Sequence, residues 1–432
     1  MKDTRGASRS LRVAVVAACP FPSARGSQVL IRDTAQAVAA RGHEVHVVTY
    51  PFGEHLVPLQ QIHVHRGAAW RGAIARRLPY LVRKMLLDLQ LIGTLNRVVR
   101  DHAIDVIHAH NYEAPLVSFA VRAFHSVPVV YHSHNALGDE LGWYVENRAL
   151  RRFAGWVGRW LDRQVPRRAD YAIALTAELR SCLLRSGVAP QRLRIVPPGA
   201  PPQGDDDFAG DRGSCAGRFV VMYAGNLDGY QDLAVLARGF RQFAARAPEA
   251  VLVIATHETD WAQRLAPELD ELRRSGALEV VMAPSFSVVR RLMRRADVLV
   301  CPRSSWSGYP IKLVNYTRAG RAIVAAEGSA KGMRAGVDAL VFRNGDDQSL
   351  AAALEQLRGD PSLRERLENA AREMSAALPT WEESGAAIEQ IYFEVCPSSR
   401  RRAVPIAEHT TRSEGLIGIS RDRIRASGDR VG

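Results

Sequence analysis

Two histidine pairs and one lysine are the residues of this chain whose types and settings best suit chemistry. His108 and His110 end the apolar run AIDVIHAHN (residues 103–111), and His132 and His134 end VPVVYHSHN (residues 127–135). Such runs read as buried strands, and alternation along a strand puts both imidazoles of a pair on one face. Imidazoles so placed can hydrogen-bond a hydroxyl, relay a proton or hold a metal ion. Neither pair has a carboxylate or cysteine at ligand spacing, so no metal is expected. The lysine, Lys312, lies in SGYPIKLVNYTRAGRAIVA, residues 307–325. It follows ADVLVCPRSS, which reads as a strand opening into a loop. A short helix then begins near Ile311, with Ile311, Val314 and Ala319 on its apolar side and Gly320 as its stop. The free N–H groups and dipole at that helix start favour an anion, most obviously a phosphate. Lys312 would supply a cation there and Arg303 a weaker one; the competing reading is a solvated surface lysine.

The elements needed to position these groups come as two similar series. Residues 11–50 read strand, loop, helix, strand, and RADYAIALTAELRSCLLRSGVAPQRLRIVPPGAP gives a strand, a helix capped near Thr176 and a second strand. PPGAPPQGDDDFAGDRGS, residues 197–214, is rich in Pro, Gly and Asp and reads as a linker. RFVVMYAGNLDGYQDL then restarts the strand–helix alternation, followed by AVLVIATHE, LEVVMAPSFS, ADVLVCP, AIVAA and ALVF. From Ser349 two amphipathic helices are expected, the second holding Trp381 and ending near Val395. The chain is therefore α/β with two Rossmann-like sheets. Its first loop lacks GxGxxG spacing, which argues against a dinucleotide oxidoreductase.

SGYPIKLVN resembles the donor-binding segment of the family-four retaining glycosyltransferases of the GT-B fold, two Rossmann-like domains facing across a cleft. In that family a Glu is followed by Gly, Phe, Gly or Pro, and by a second Glu eight positions on. Here Ser307 and Asn315 stand at the two Glu positions, with Gly308, Tyr309 and Pro310 between. The resemblance implies that Asn315 hydrogen-bonds the ribose of a sugar nucleotide. It also implies that the backbone from Gly308 through Ile311 holds the donor sugar and diphosphate. Asn donates and accepts, so the ribose role survives, whereas the hydroxyl of Ser307 lacks the charge that stabilises a cationic transition state. YAGNLDGYQDL keeps the family's Tyr and Gly as Tyr223 and Gly225. Asn226 stands where a diphosphate-clamping Arg is expected, and Gln231 or Asp232 near a Lys. Ser285 and Phe286, after Pro284, occupy the loop that holds the base. Arg25, Gly26 and Ser27 occupy the loop where an acceptor or the donor phosphates approach the backbone. DVIHAHN and VVYHSHN match strand ends from which His134 would bond the donor sugar and His110 border the acceptor pocket. His108 and His132 would be deeper, satisfied core residues.

The division that follows is residues 11–198 for an acceptor-side domain and 199–376 for a donor-binding domain. Residues 377–396 would form a helix packing back on the first domain, and 397–432 a disordered basic tail. The implied reaction moves a hexose from a nucleoside-diphosphate sugar to a hydroxyl of a glycan, lipid or small molecule, with retention and with neither cofactor nor metal. With both Glu and both cations replaced, a second class stays open: a catalytically impaired sugar-nucleotide-binding module or partner subunit.

Composition bounds the rest. The chain has 432 residues, enough for two or three domains, and a net charge of +13. That charge admits nucleic acid, an anionic membrane surface or a phosphorylated ligand, and the motifs select the last. The 5 cysteines form no CxxC pair and indicate reduced thiols in a cytoplasmic chain. VAVVAAC, residues 13–19, resembles a short signal core, but a first buried strand accounts for it better. Two basic stretches, within residues 70–100 and 148–168, have helical apolar spacing. Either their apolar sides are buried under a solvated Arg face, which is expected, or they rest on an anionic membrane.

Overall fold

The computed structural model describes residues 9–23, 26–53, 61–68, 80–135, 148–200, 217–264, 267–283, 285–304, 311–396 and 402–403. The first sheet contains β1 (Arg12–Ala17), β2 (Glu44–Thr49), β3 (Ile62–Arg66), β4 (Val106–His110), β5 (Val129–Ser133), β6 (Tyr171–Ala174) and β7 (Leu193–Ile195). Their order is β3-β2-β1-β4-β5-β6-β7, parallel throughout. The second sheet contains β8 (Phe219–Ala224), β9 (Ala250–Thr256), β10 (Leu278–Met282), β11 (Val298–Cys301), β12 (Ala322–Ala326) and β13 (Leu340–Phe342). It runs β10-β9-β8-β11-β12-β13, again all parallel. Each sheet starts at its middle, winds out one way and then the other, so strand order reverses between β1 and β4 and between β8 and β11. The crevice beyond the carboxyl ends of the strands at such a reversal is where open α/β sheets bind ligands.

Central strands are buried along their whole length, as continuous Val, Ile, Leu and Ala runs require when helices cover both faces. A repeated device aligns them. Asp105, Asp170 and Asp297 each stand one residue before a strand and accept a hydrogen bond from an amide at the start of a neighbouring one. The donors are Arg12 N at 2.9 Å, Val129 N at 2.8 Å and Val220 N at 2.9 Å. A carboxylate there satisfies an amide that the ladder leaves open.

The last described helix belongs to the first sheet although it follows the second in sequence. Ile388, Ile391 and Tyr392 of Trp381–Val395 pack with Leu11, Val13, Ile31 and Val38 in one buried cluster. A capping box of Thr380 and Glu383 starts this helix, and Ser384 Oγ donates to Pro197 O at 3.1 Å. Two C-terminal helices were expected and three are present: Asp347–Gly359, Pro361–Ala377 and Trp381–Val395. Asp360 makes the extra break by capping Leu363 N ahead of Pro361, whose ring suits a first helical position and not an interior one.

Several expectations fall outside the described residues: the linker from residue 201 onward, part of the first basic stretch, and most of the tail. Of the tail only Arg402–Ala403 is described, paired antiparallel with Arg9–Ser10. No helix among the described residues is long and apolar enough to cross a membrane.

Candidate active site

At the reversal point of the second sheet, β8 runs out through Tyr223 and Ala224 into Gly225, which has φ of 152°. A Cβ there would meet the Tyr223 hydroxyl at 2.9 Å and Lys312 Nζ at 3.1 Å, so the turn excludes a side chain. The helix Ile311–Ala319 starts at the same end of the sheet and stops at Gly320, whose φ is 64°. Its buried face is Leu313, Val314, Tyr316 and Thr317; Ile311 and Ala319 are only partly covered, a rotation of the face expected from pattern. Tyr316 is the reason. Its hydroxyl accepts from Ala224 N at 2.9 Å and donates to Val300 O at 3.3 Å, bridging β8 and β11.

Lys312 precedes Tyr316 by four residues, one turn up the same side of the helix. Its ammonium turns inward, 4.2 Å from the centre of the Tyr223 ring, and donates to Tyr223 Oη at 2.9 Å and Gln231 Oε1 at 2.6 Å. The reading of Lys312 as a solvated surface lysine is thereby corrected. Burial, helped by the nearby charge of Arg303, pushes its pKa down to about 8. Gln231 Nε2 donates to Asn226 Oδ1 at 2.8 Å, and Asn226 Nδ2 donates to Asp228 Oδ2 at 2.8 Å and Tyr230 Oη at 2.9 Å. Asn226 and Gln231 are thus joined in a polar web, and Lys312 brings its charge to the edge of it. Arg303 lies over the Tyr230 ring at 5.2 Å, and Asp232 accepts from Ser304 N at 2.8 Å. Asn315 is on the lysine-bearing helix, partly exposed. Ser285 precedes the helix Phe286–Arg295, its Oγ paired with Ser287 Oγ at 2.8 Å, and the Phe286 ring is exposed. Ser307, Gly308, Tyr309, Pro310, Pro284 and Arg25 lie outside the described residues.

At the first sheet's reversal point, β4 and β5 bring all four histidines of the two pairs together. His110 Nδ1 is 3.0 Å from His134 Nε2; His108 bonds His132 Nδ1 at 3.1 Å and the Tyr392 hydroxyl at 2.6 Å. Burial drives all four pKa values down, to about 3 for His108 and His134, and well below the usual imidazole value for the other two. All four are therefore neutral near pH 7. His134 Nδ1 and His110 Nε2 have no partner among the described residues. In a neutral pair joined by one hydrogen bond, one outer nitrogen carries a proton and the other does not, so this pair can offer a hydroxyl both a donor and an acceptor. His108 is satisfied as expected of a core residue. His132 is not, because its Nε2 has no partner among the described residues. Gly26 and Ser27, placed in a loop by pattern, form the first turn of the helix Gly26–Ala40, where backbone N–H groups are free of intrahelical bonds.

Across neighbouring elements the imidazoles also form groups that the spacing within each pair does not show. One nitrogen from each of His108, His110 and His132 lie within 4.8 Å of one another, as do those of His46, His65 and His102. Strand pairing, which a spacing rule does not see, creates the first group, and strand pairing together with the end of the helix Tyr80–Asp101 creates the second. Tyr316, Tyr392 and the second histidine group escaped the sequence reading; the alternation in IHVHR was the available signal for the last.

Residues 24–203 match the family model Glycosyltransferase Family 4, and residues 218–360 match Glycosyl transferases group 1. The chain is 26% identical over 386 residues to D-inositol 3-phosphate glycosyltransferase of Nocardia farcinica, covering 83% of each chain. Sucrose-phosphate synthase of Thermosynechococcus elongatus superposes with a TM-score of 0.73 at 17% identity, over 89% of this chain and 98% of that one. Anabaena HepE in complex with UDP-glucose gives 0.66 at 15% identity, over 89% and 100%. Two doubly wound parallel sheets with these structural neighbours define the GT-B fold, and the two family models make the chain a glycosyltransferase. Within that class, the chain belongs to the family-four glycosyltransferases.

Proposed function

We propose that the protein transfers a hexose from a nucleoside-diphosphate sugar to an acceptor hydroxyl with retention at the anomeric carbon. The observation that carries this reading is the seat of Lys312. Its ammonium bonds Gln231, which in turn bonds Asn226, and family resemblance calls for diphosphate-clamping cations at Asn226 and at Gln231 or Asp232. A cation moved to the facing helix offsets their loss, because negative charge grows on the diphosphate as it leaves. The bond from the anomeric carbon to the diphosphate oxygen breaks, the acceptor oxygen bonds on the face being vacated, and its proton passes to the departing oxygen. No side-chain nucleophile or metal ion enters this scheme.

Lys312 and the N–H groups at the start of its helix hold the diphosphate. Asn315 takes the ribose hydroxyls, and the exposed ring of Phe286, beside Ser285, borders the base. The free Nδ1 of His134 bonds a hydroxyl of the donor sugar, while His110 and the first-turn amides of Gly26 and Ser27 flank the acceptor. A UDP-hexose is the preferred donor, supported by the UDP-glucose complex of HepE. Purified protein incubated with a panel of nucleotide sugars should consume a UDP-hexose and release UDP, read by mass spectrometry. Binding of a nucleotide sugar with neither transfer nor hydrolysis would leave only a binding module.

The same reading includes contact with an anionic membrane surface. The apolar sides of both basic helices, expected to be buried, are in part exposed. Val82, Met85 and Leu89 are exposed on Tyr80–Asp101, and Phe153, Trp156 and Trp160 on Arg148–Arg168. Each set has i, i+3, i+7 spacing, and on the second helix it runs beside exposed Arg152, Arg159 and Arg163. Aromatic side chains interleaved with arginine are the composition of an interfacial helix. Phosphatidylglycerol vesicles at low salt should sediment the protein while phosphatidylcholine vesicles do not, and Trp156→Ala with Trp160→Ala should weaken binding. Equal indifference to both vesicles would dismiss the membrane role.

A further inference from the structure

Another imidazole group lies on the outer side of the first sheet, away from the strand ends just described. His46 is in β2, His63 and His65 alternate along the edge strand β3, and His102 follows the helix Tyr80–Asp101. Parallel register sets His46 beside His63. His46 Nδ1 is 2.9 Å from His65 Nε2, the His46 and His102 ring centres are 4.4 Å apart, and one nitrogen of each of the three lies within 4.8 Å of the others. Ligand nitrogens around a tetrahedral zinc ion are about 3.3 Å apart, so small side-chain rotations would enclose one.

The surroundings are those of a built site. The other nitrogen of His46, Nε2, is 3.0 Å from Glu44 Oε1, the carboxylate–imidazole relay that orients metal-bound histidines. Arg12 holds both sides: its Nε donates to Glu44 at 3.1 Å and its Nη1 to the backbone O of His102 at 3.0 Å. A cavity of about 270 Å³, lined in part by His65, Thr94, Asp101 and His102, opens beside the group and leaves room for solvent ligands. Burial, then the neighbouring His102, brings the pKa of His46 down to about 4, and burial also lowers that of His65.

We propose that His46, His65 and His102 form a binding site for a divalent transition-metal ion, with zinc the ion that best suits three neutral imidazoles and an open position. The bound ion would clamp the edge strand β3 to β2 and to the end of the helix Tyr80–Asp101. It plays no part in sugar transfer, so the site stands or falls independently of the proposed reaction.

The test uses untagged full-length protein stripped with a chelator, titrated with Zn²⁺ by calorimetry and with Co²⁺ by visible absorption. One ion per chain is expected, with cobalt bands of tetrahedral intensity and a rise in melting temperature on adding zinc. His65→Ala and His102→Ala should each weaken binding about tenfold or more and abolish the thermal shift, with circular dichroism of the zinc-free protein unchanged. Absence of stoichiometric binding overturns the assignment. So does binding that survives in both variants, which would place the ion at His108, His110 and His132.

Discussion

The two strand-end edges that carry the candidate site treat charge in opposite ways. Beyond β4 and β5, four imidazoles are crowded together and burial keeps them all neutral. Beyond β8 and β11, one ammonium is bonded to an amide and a hydroxyl of a polar web that also holds the carboxylate of Asp228. A departing diphosphate gains negative charge, and a sugar hydroxyl does not. The edge with the cation suits the first and the neutral pair suits the second. Each edge is also held by a tyrosine hydroxyl from a helix: Tyr316 ties the lysine-bearing helix to β8 and β11, and Tyr392 ties the C-terminal helix to His108. The lesson is that this chain places its site charge by tertiary contact and not at the motif positions themselves.

The contrast breaks most visibly at Lys312. Lys312→Ala should lower turnover by about tenfold or more, as loss of a charge stabiliser aimed at the leaving group does; unchanged turnover would retire the residue. Gln231→Lys in that background should recover part of the loss, because Gln231 Oε1 is 2.6 Å from where the ammonium sits. Should the double variant prove no better than the single one, the idea of a relocated cation fails. The pH profile sharpens the same point. A lysine with lowered pKa is cationic below it, so kcat/KM should fall as pH rises through about 8, and Lys312→Arg should move that limb upward. The histidine edge should add no acid limb between about pH 5 and 7, since His134 titrates at about 3. Smaller again is His134→Ala, which removes one neutral hydrogen bond and should cost a few-fold in kcat/KM, or about 1 kcal/mol. Tyr392→Phe should leave turnover within about twofold and lower unfolding stability by about 1 kcal/mol, measured by denaturant titration, because His108 Nδ1 loses its partner.

Much of the architecture was legible because it rests on local pattern. Continuous apolar runs such as VVMYA and AIVAA announce strands covered on both faces. Gly320 and Thr176 end and begin helices where pattern put them, since a positive φ and a hydroxyl cap are properties of one or two residues. The face of the lysine-bearing helix was misjudged because Tyr316 looks like an ordinary aromatic until β8 and β11 give its hydroxyl two partners. The exposed Trp156 and Trp160 were misjudged for the converse reason: periodicity shows that a face is apolar and not whether anything lies against it.

Residue order alone determined two Rossmann-like sheets, most of their strands and helix ends such as Thr176 and Gly320, and it set the histidine pairs at the strand ends, because each depends on interactions within about one turn or one strand. Only the folded chain decided that Lys312 meets Gln231 across 81 positions, that His46 meets His65, and that Glu389 reaches back 346 positions to His43. Strand order and helix packing choose those neighbours, and neither is written in the spacing of any one segment.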